Sequence, residues 1–456
     1  MAFQETVITA LIILAFSSTS SGVGPPNVYV SRKGIDSESC GSKSQPCKSI
    51  IQAVKRVSFG GFIYLDGRGT LEHPYDCSNP NSSMDCHHGI HVTKSLTIKG
   101  IYFPPHVLCV AGFHFQWIVN EQQNLRFELS GIHFRQTPFT CKDCNRIVIH
   151  NCSFRDTERT FIIETQNISS VQLDVHGDSS FRYNSQCFEF LLFDGCREQN
   201  RFLEVNITNT KFEKNGFHGQ KDKRGAVKIL SAAKNMLDPV YISISCSRIK
   251  FINNKGPFIS VNVPTAVTNE IYRDIKLHHN HFNLKDYFAN LKPEVSLPER
   301  SLFSSHSRET RAKFIRLNCY DNKNVRCIKV ESPRADIDIQ DSRFSYLKVT
   351  RHRGSSLSLM ANINASLRIT NSLFRKNKAD IGGSLFANSP KGFLKIELTN
   401  VTFSYCRANN GCTIFVGNNR SGPHNLFFRL RNVTIDQWNG YKHKCEAVFL
   451  KMEMSS

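Results

Sequence analysis

The sequence has few features of a membrane protein or of a metal-dependent enzyme. After residue 22 no stretch approaches about 18 consecutive apolar residues, so no transmembrane span is predicted beyond the N-terminal segment. One CxxC element, Cys141 to Cys144, occurs without a second one and without a histidine pair at zinc spacing. We therefore interpret it as a loop disulfide, with pairing to Cys152 as the alternative. No long run of Lys or Arg is present.

Two histidine clusters make poor metal sites. His87, His88 and His91 belong to a predicted loop. In the second cluster His278 and His279 should face opposite sides of one strand, with His279 inward, so that a shared ion is disfavoured. We assign no metal, no cofactor and no physiological nucleic-acid partner.

The N-terminus and the cysteines predict a secreted, extracellular protein. Val7 to Phe16 are apolar and small residues follow, so residues 1–22 are predicted to be a signal peptide. Because Glu5 is present there and Lys and Arg are not, an uncleaved anchor is the alternative. The chain has 16 cysteines, and several short-range pairs suit disulfides formed in an oxidising compartment: Cys40 with Cys47, Cys77 with Cys86, Cys187 with Cys196, Cys319 with Cys327, and Cys406 with Cys412.

One pattern recurs from residue 125 onward. In each copy two apolar residues alternate with polar ones, an Asn or similar residue follows, and a Phe comes three residues later. The clearest copies are residues 147–154, 205–212, 367–374 and 396–403. Period-two alternation predicts a short β-strand with one buried face. Recurrence about every 30 residues predicts a solenoid of stacked coils.

Stacking of like residues explains why the chain has 34 Phe but only 2 Trp. We expect an internal ladder of Phe134, Phe154, Phe181, Phe212, Phe251, Phe282, Phe344, Phe374, Phe403 and Ile435. The long interval after Phe282 leaves room for one weak coil at 314–320, and Phe251 is expected to follow a local insertion. The Asn position of the pattern should form a second inward ladder.

Several copies continue with an Asn three residues after the Phe, as in Phe212 to Asn215 and Phe374 to Asn377. Small-residue turns follow at Gly225-Ala226 and Gly382-Gly383. Here the chain resembles the right-handed parallel β-helix, pectin-lyase-like superfamily. More narrowly it resembles FxxN/GGA-type repeat proteins and uncharacterised secreted or receptor-ectodomain β-helix proteins of cnidarians. The resemblance covers most of residues 94–456 and implies an all-β, right-handed parallel β-helix solenoid.

The N-terminal part fits the same architecture. Ser49 to Gln52 form a capping box, and Ile50, Ala53 and Val54 share one face of a short helix that should cover the edge of the first coil. The predicted organisation is a signal peptide at 1–22, a cap and first coil at 23–93, and β-helix repeats at 94–456, with an inserted basic loop at 290–313.

The repeat also bears on glycosylation. N-x-S/T sequons that should be open to modification lie at Asn81, Asn167, Asn206, Asn364 and Asn419. The sequon residues Asn151, Asn400 and Asn432 occupy the Asn position of the repeat. Because we expect that position to point inward, we expect these three to stay unmodified.

The charge and the irregular segment suggest a partner. A formal net charge of +20 favours polyanions such as anionic glycans or cell surfaces. The loop 290–313 is the expected contact, through Lys292, Arg300, Arg308, Arg311 and Lys313. A tolerated insertion without a partner is the alternative.

An enzyme is the second hypothesis, because parallel β-helices include polysaccharide lyases and glycoside hydrolases. Those activities need converging carboxylates. Asp336 and Asp338 share one outward strand face, but the flanking coils offer Arg368, and Lys395 with Glu397, rather than a carboxylate cluster. We interpret these residues as cross-coil ion pairs and assign no catalytic residue. The leading hypothesis is an extracellular, non-catalytic binding, recognition or adhesion module for anionic glycans.

Overall fold

The computed structural model of the chain describes residues 24–76, 89–116, 125–166, 168–193, 200–216, 225–232, 239–280, 301–349, 353–408, 413–418, 426–436 and 448–452. The predicted signal peptide lies outside these residues. One helix is found among them, Ile50–Arg56, and the regular structure of the rest is β-strand. No helix in the described ranges is long and apolar enough to cross a membrane.

The strands pair in parallel, and each full coil contributes a strand to three separate stacks. The strand Arg146–His150 leads to Ser153–Arg155 and then to Arg159–Thr165, and the next strand, Ser170–His176, pairs with the first. The chain is therefore an all-β parallel β-helix, as predicted. We call the three stacks sheet 1, sheet 2 and sheet 3, in the order in which each coil passes through them.

Sheet 1 consists of Asn27–Val30, Gly61–Asp66, Leu96–Ile101, Arg126–Ser130, Arg146–His150, Ser170–His176, Arg201–Thr208, Val240–Ser247, the second parts of Ile259–Arg273 and Ser301–Ile315, Arg334–Gln340, Asn364–Thr370, and the first parts of Phe393–Ser404 and Leu426–Asp436. Sheet 2 consists of Tyr75–Asp76, His106–Leu108, His133–Arg135, Ser153–Arg155, Ser180–Arg182, Lys211–Glu213, Lys250–Ile252, Lys276–His278, Asn318–Tyr320, Arg343–Ser345, Leu373–Arg375, and the ends of Phe393–Ser404 and Leu426–Asp436. Sheet 3 consists of Ile90–Val92, Phe113–Gln116, Phe139–Lys142, Arg159–Thr165, Gln186–Leu192, Gly225–Ser231, the first parts of Ile259–Arg273 and Ser301–Ile315, Arg326–Glu331, Leu357–Met360, Leu385–Asn388, Ile414–Asn418 and Val448–Met452.

The predicted Phe ladder runs along sheet 2. Phe134, Phe154 and Phe181 stack with ring centroids 5.2 and 4.8 Å apart, and Phe344 stacks on Phe374 at 4.8 Å. These rings are buried, so each contributes roughly 1.5–3 kcal/mol to folding. Sheet 3 carries a second ladder that the sequence pattern did not predict, formed by Phe113, Phe139, Phe161 and Phe188. Phe139 and Phe161 make T-shaped contacts with Phe154 of the first ladder.

The predicted phase is wrong in one coil. Leu277, not Phe282, continues the ladder above Phe251, and Phe282 lies outside the described residues. The coil above it exists as predicted and carries Cys319 at the ladder position. The error arose because Glu270 occupies an inward position of the preceding strand, where the pattern expects an apolar residue.

The expected insertion before Phe251 is also absent from the described residues. Cys246 takes the second inward position of that strand, between Ile207 and Tyr272, at ordinary spacing. A buried cysteine behaves as a small apolar residue, so the pattern was complete without Ile at this place.

The Asn position of the repeat points outward, so the expected inward ladder there is wrong. Asn151, Asn400 and Asn432 have φ of 51°, 55° and 50° and are exposed. Asn adopts this left-handed conformation more readily than most residues, and the turn carries the side chain away from the core. The exposed amides still form a ladder at the corner between sheets 1 and 2. Asn432 Nδ2 donates to Asn400 Oδ1 at 3.0 Å, and Asn400 Nδ2 donates to Asn371 Oδ1 at 3.1 Å.

The inward ladder is formed instead by the Asn three residues after the position of sheet 2 that carries the Phe ladder, which Leu277 and Cys319 occupy in two coils. Its members are buried at the corner between sheets 2 and 3: Asn184, Asn215, Asn254, Asn280, Asn322 and Asn377. Asn254 shows the bonding, because its Oδ1 accepts from the backbone N–H of Asn215 at 2.9 Å and its Nδ2 donates to the Phe212 carbonyl at 3.1 Å.

The N-terminal helix has the predicted cap in part. Ser49 Oγ accepts from the Gln52 backbone N–H, but the Gln52 side chain donates to the Ser37 carbonyl instead of returning to Ser49. Asp36 accepts from the Ser49 N–H at 2.9 Å. Ile50, Ala53 and Val54 are buried. The helix therefore joins the core at the start of the solenoid.

The cysteines are paired in part as predicted. Disulfides join Cys40 to Cys47 and Cys319 to Cys327, and Cys141 pairs with Cys144 rather than with Cys152. Against the predicted pairing, Cys187 and Cys406 are free, buried thiols; the other cysteines of these predictions, Cys77, Cys86, Cys196 and Cys412, lie outside the described residues.

The position of Cys406 explains why it is free. It follows Phe403 by three residues, and its Sγ contacts the Phe374 carbonyl, just as the Asn377 side chain contacts the Phe344 carbonyl one coil earlier. The thiol therefore occupies the inward Asn ladder.

Candidate functional site

The predicted basic loop is in large part a pair of sheet strands. Ser301–Ile315 continues from sheet 3 into sheet 1 and carries Arg308, Arg311 and Lys313, whereas Lys292 and Arg300 lie outside the described residues. Two serines of this predicted loop point into the core. Ser305 and Ser307 hydrogen bond to Thr310 at 3.0 and 2.8 Å in the core.

Cations on the outer face of sheet 1 are matched by acids. Arg311 pairs with Glu309 at 2.7 Å, and Lys313 pairs with Asp338 in the next coil at 3.7 Å. The latter contact is the cross-coil ion pair expected for Asp338. Around Glu397 the cations Lys395, Arg368 and Arg429 lie within 3.1–3.7 Å. The Lys395 hydrogen bond, with help from the other cations, lowers the pKa of Glu397. The cations named here are therefore engaged in ion pairs, although three of them share the single acid Glu397.

The outer face of sheet 2 and the corner that follows it are different. We call this surface the basic face. Its cations are Arg135, Arg155, Arg182, Lys211, Lys214, Lys250, Lys255, Lys276, Lys323, Arg343, Lys348, Arg375, Lys376, Lys378 and Arg407. The acids at the equivalent positions are far fewer: Asp76, Asp156, Glu158, Glu213, Asp321 and Asp436.

The cations of the basic face are arranged in columns along the solenoid axis. Lys211, Lys250 and Lys276 occupy one register position in three successive coils. At the corner, parallel bridges join Lys323 to Lys348, Lys348 to Lys378, and Lys378 to Arg407, one per coil. Adjacent parallel strands lie about 4.8 Å apart, so these four residues place one positive charge about every 4.8 Å along the solenoid axis. We call the column Lys323, Lys348, Lys378 and Arg407 the cation column.

The local geometry holds the cation column at the surface. Each member directly follows the inward Asn position of its coil. Its backbone N–H donates to the backbone carbonyl of the residue at that position in the coil below; for example, Lys323 N–H donates to the Asn280 carbonyl at 3.0 Å. The backbone is fixed by the buried ladder, while the side chains of Lys323, Lys348 and Arg407 are exposed.

Tyrosines that are exposed or half-buried lie between the cations of the basic face. Tyr183 is approached by Arg182, Arg155 and Lys214, whose charged groups lie 5.0, 5.4 and 5.5 Å from its ring centroid. The hydrogen bond from Lys214, together with Arg182, lowers the pKa of the Tyr183 hydroxyl. The Lys376 ammonium lies 5.1 Å from the ring of Tyr346. The surface therefore combines positive charge with flat aromatic groups.

Three acids of the basic face, Asp156, Glu213 and Asp321, are engaged locally. Asp156 pairs with Arg135 and Arg155 at 3.1 and 3.3 Å, and Glu213 pairs with Lys211 at 2.6 Å. They neutralise its first coils in part. The cation column lies farther along the chain, and Asp321, next to its first member Lys323, contacts His279 at 3.0 Å.

The histidine predictions have mixed outcomes. His279 is exposed and has φ of 53°, so its predicted inward position is wrong. His278 is half-buried on the outer face of sheet 2, and its pKa is lowered by burial and by His279. Of the first cluster only His91 is described, stacked on His114 at 5.2 Å.

The described residues contain one trio of His, Cys, Asp or Glu ligand atoms within 4.8 Å of one another, namely Asp36, Cys40 and Cys47. Its two cysteines form a disulfide and cannot ligate a metal as thiolates. Asp336 and Asp338 lie on the outer face of sheet 1 beside Ser366 and Arg368. Among the described residues no three carboxylates bring their oxygens within 4.8 Å of one another.

Two of the predicted glycosylation sites are described. Asn206 points outward from sheet 1, and its Nδ2 donates to Asp174 at 3.1 Å and to Glu204 at 2.8 Å. Asn364 is exposed at the start of its strand. Asn81, Asn167 and Asn419 lie outside the described residues.

Comparison of the chain with protein-family models, with curated proteins and with solved structures gives no match.

The sequence does contain a signal for the basic face. Basic residues directly flank the ladder Phe, as in Lys250-Phe251 and Phe154-Arg155, and directly follow the inward Asn, as in Asn322-Lys323. A search for consecutive Lys and Arg misses them, because the solenoid joins residues that are about 30 positions apart. Aligning the copies of the repeat and marking the basic residues at each position would have located this surface.

Proposed function

We propose that this protein is an exported, non-catalytic binding module that holds an anionic glycan along its basic face. The observation that carries the proposal is the cation column, in which one basic residue per coil recurs through four coils. A rigid row of like charges has a high electrostatic potential, and a polyanion is the ligand that gains most from it. Each cation is anchored by a buried backbone ladder, so binding does not need to order the backbone.

A glycan suits the surface better than a compact anion does. The columns run along the solenoid axis, so a long chain with repeated sulfate or carboxylate groups can contact several coils at once. The exposed Tyr346 and Tyr405 and the half-buried Tyr183 offer ring surface between the charges. Tyrosine combines apolar area with a hydroxyl, which suits a sugar ring.

Export is supported by the disulfides Cys40–Cys47, Cys141–Cys144 and Cys319–Cys327, since such bonds persist in oxidising compartments. The predicted signal peptide at residues 1–22 is the segment that we propose directs the chain to export. Membership of the right-handed, pectin-lyase-like group is part of the same proposal, and the right-handed sense is what parallel strand crossovers adopt almost always.

The test uses two variants that remove equal charge. The first is Lys323→Gln, Lys348→Gln, Lys378→Gln, in the cation column. The matched control is Arg311→Gln, Lys313→Gln, Arg368→Gln, on the outer face of sheet 1, where each of these cations pairs with an acid. Both are passed over immobilised heparin, and the salt concentration at elution is compared with that of the wild type. Thermal unfolding of both variants checks that they fold.

We expect the cation-column variant to elute at clearly lower salt and the control to elute close to the wild type. Basic residues near an anionic surface contribute about 1 kcal/mol each, so three should weaken binding by about 3 kcal/mol, or roughly 100-fold. Equal shifts for the two variants would mean that only net charge matters. Turnover of an acidic polysaccharide by the wild type would favour the lyase or hydrolase alternative.

A further inference from the structure

The corner between sheets 1 and 2 carries three sequon asparagines whose exposure has a chemical consequence. Asn151 is followed by Ser153, Asn400 by Thr402 and Asn432 by Thr434, two residues on in each case. The hydroxyl-bearing residues are partly or fully exposed on sheet 2. We propose that Asn151, Asn400 and Asn432 are N-glycan attachment sites. This inference rests on the export that forms part of the proposed function.

The geometry of the left-handed turn makes room for a sugar. A φ near +50° directs each of the three side chains away from the core. Asn151 has the most space, because the equivalent turn residues of the coils below and above are Gly131 and Gly177. Neither of these neighbours has a side chain that would compete with a glycan.

The hydrogen bonds of the outward ladder are compatible with attachment. In the transfer, Asn Nδ2 forms a bond to the anomeric carbon of a lipid-linked oligosaccharide. The bond from that carbon to the lipid pyrophosphate breaks, the lipid pyrophosphate leaves, and Nδ2 loses one proton. One N–H remains on Nδ2. That hydrogen is enough for Asn432 to keep its bond to Asn400 Oδ1, and for Asn400 to keep its bond to Asn371 Oδ1.

Spacing predicts how the sites share their occupancy. Asn400 and Asn432 lie in adjacent coils, about 4.8 Å apart along the axis, which is too close for two unhindered glycans. We therefore expect high occupancy at Asn151, and partial occupancy divided between Asn400 and Asn432.

Asn371 provides a matched control at the same turn position. It has φ of 49° and is exposed, but Leu373 stands where a sequon needs Ser or Thr. Leu373→Thr completes a sequon, and Thr is native at the next coil, where Thr402 pairs with Leu373. Leu373→Val makes a similar change in shape without creating a sequon.

The experiment expresses the full chain in eukaryotic cells and maps glycopeptides of the secreted protein by mass spectrometry. We expect glycan on Asn151, glycan on Asn400 or Asn432, and new glycan on Asn371 in Leu373→Thr but not in Leu373→Val. Glycan on Asn206 or Asn364, with all corner asparagines bare, would overturn this inference and leave export intact. A chain that stays inside the cell and is bare at every sequon would overturn both.

Discussion

The two asparagine ladders should differ sharply in their contribution to stability. Asn254→Ala removes the Oδ1 that accepts from the Asn215 backbone N–H at 2.9 Å and from Asn215 Nδ2 at 3.0 Å. It also removes the Nδ2 donor to the Phe212 carbonyl. All of these groups are buried, so water cannot replace the lost partners. An unsatisfied buried group costs about 1–3 kcal/mol, and each lost hydrogen bond adds about 1 kcal/mol. We expect a total loss of about 3–5 kcal/mol.

The control is Asn371→Gly on the outward ladder. Glycine avoids the strain that alanine would suffer at a φ of 49°, and Gly131 and Gly177 already occupy this turn position in other coils. The partners of the removed side chain, Asp341 Oδ1 and Asn400 Nδ2, belong to exposed residues and bond to water instead, so the expected loss is under about 1 kcal/mol.

The assay is urea unfolding followed by circular dichroism, with hydrogen exchange at the Asn215 amide as a local probe. A solenoid is stabilised by contacts between neighbouring coils, so the exchange probe also detects a defect that is confined to one coil. Asn254→Leu is a useful second variant, because Leu347 occupies the same position natively and is fully buried. It should restore volume but leave Asn215 without its acceptor. Equal losses for Asn254→Ala and Asn371→Gly would refute the distinction between the ladders.

Two further predictions concern buried titratable groups. Glu270 is fully buried, and burial raises its pKa, although the Tyr272 hydroxyl donates to it at 2.9 Å. Because a raised carboxyl pKa gives stability that is present below the unfolded pKa and is lost as the pH rises through the folded value, the contribution of Glu270 to the Tm should fall from acidic toward neutral pH. Glu270→Gln should remove much of that fall, and identical pH profiles would count against a buried carboxyl. Burial also raises the pKa of Cys406, and raises that of Cys187 well above its ordinary value. Mass-mapped alkylation at pH 8 should therefore label both only after denaturation, and rapid labelling of the native protein would place them elsewhere.

The comparison of sequence with structure separates what a repeat pattern determines from what it leaves open. Side-chain alternation and stacking were enough to predict the strands and the Phe ladder, since both follow from burying one face of each strand. The pattern did not determine which way the turn Asn points. That direction depends on the sign of φ, and the left-handed turn sends Asn400 outward while Asn377 takes the inward ladder.

The remaining differences have the same kind of cause. Residues 290–313 were predicted to be a loop, yet Ser305 and Ser307 of this segment hydrogen bond to Thr310 inside the solenoid. The ladder residue of one coil was predicted wrongly because Glu270 places a carboxyl group at an inward position, where the repeat pattern expects an apolar residue. The basic face was missed because its charges become neighbours only through coiling.

The central claim is that an anionic glycan lies on the basic face, and a lysine footprint tests it most directly. The wild-type protein is acetylated briefly with and without a heparin oligosaccharide, and the modified lysines are quantified by mass spectrometry. We predict strong protection of Lys250, Lys276 and Lys348 by the oligosaccharide, lost in high salt, with Lys313 and Lys395 on sheet 1 unchanged. Equal protection of both sets, or protection confined to Lys313 and Lys395, would contradict the account.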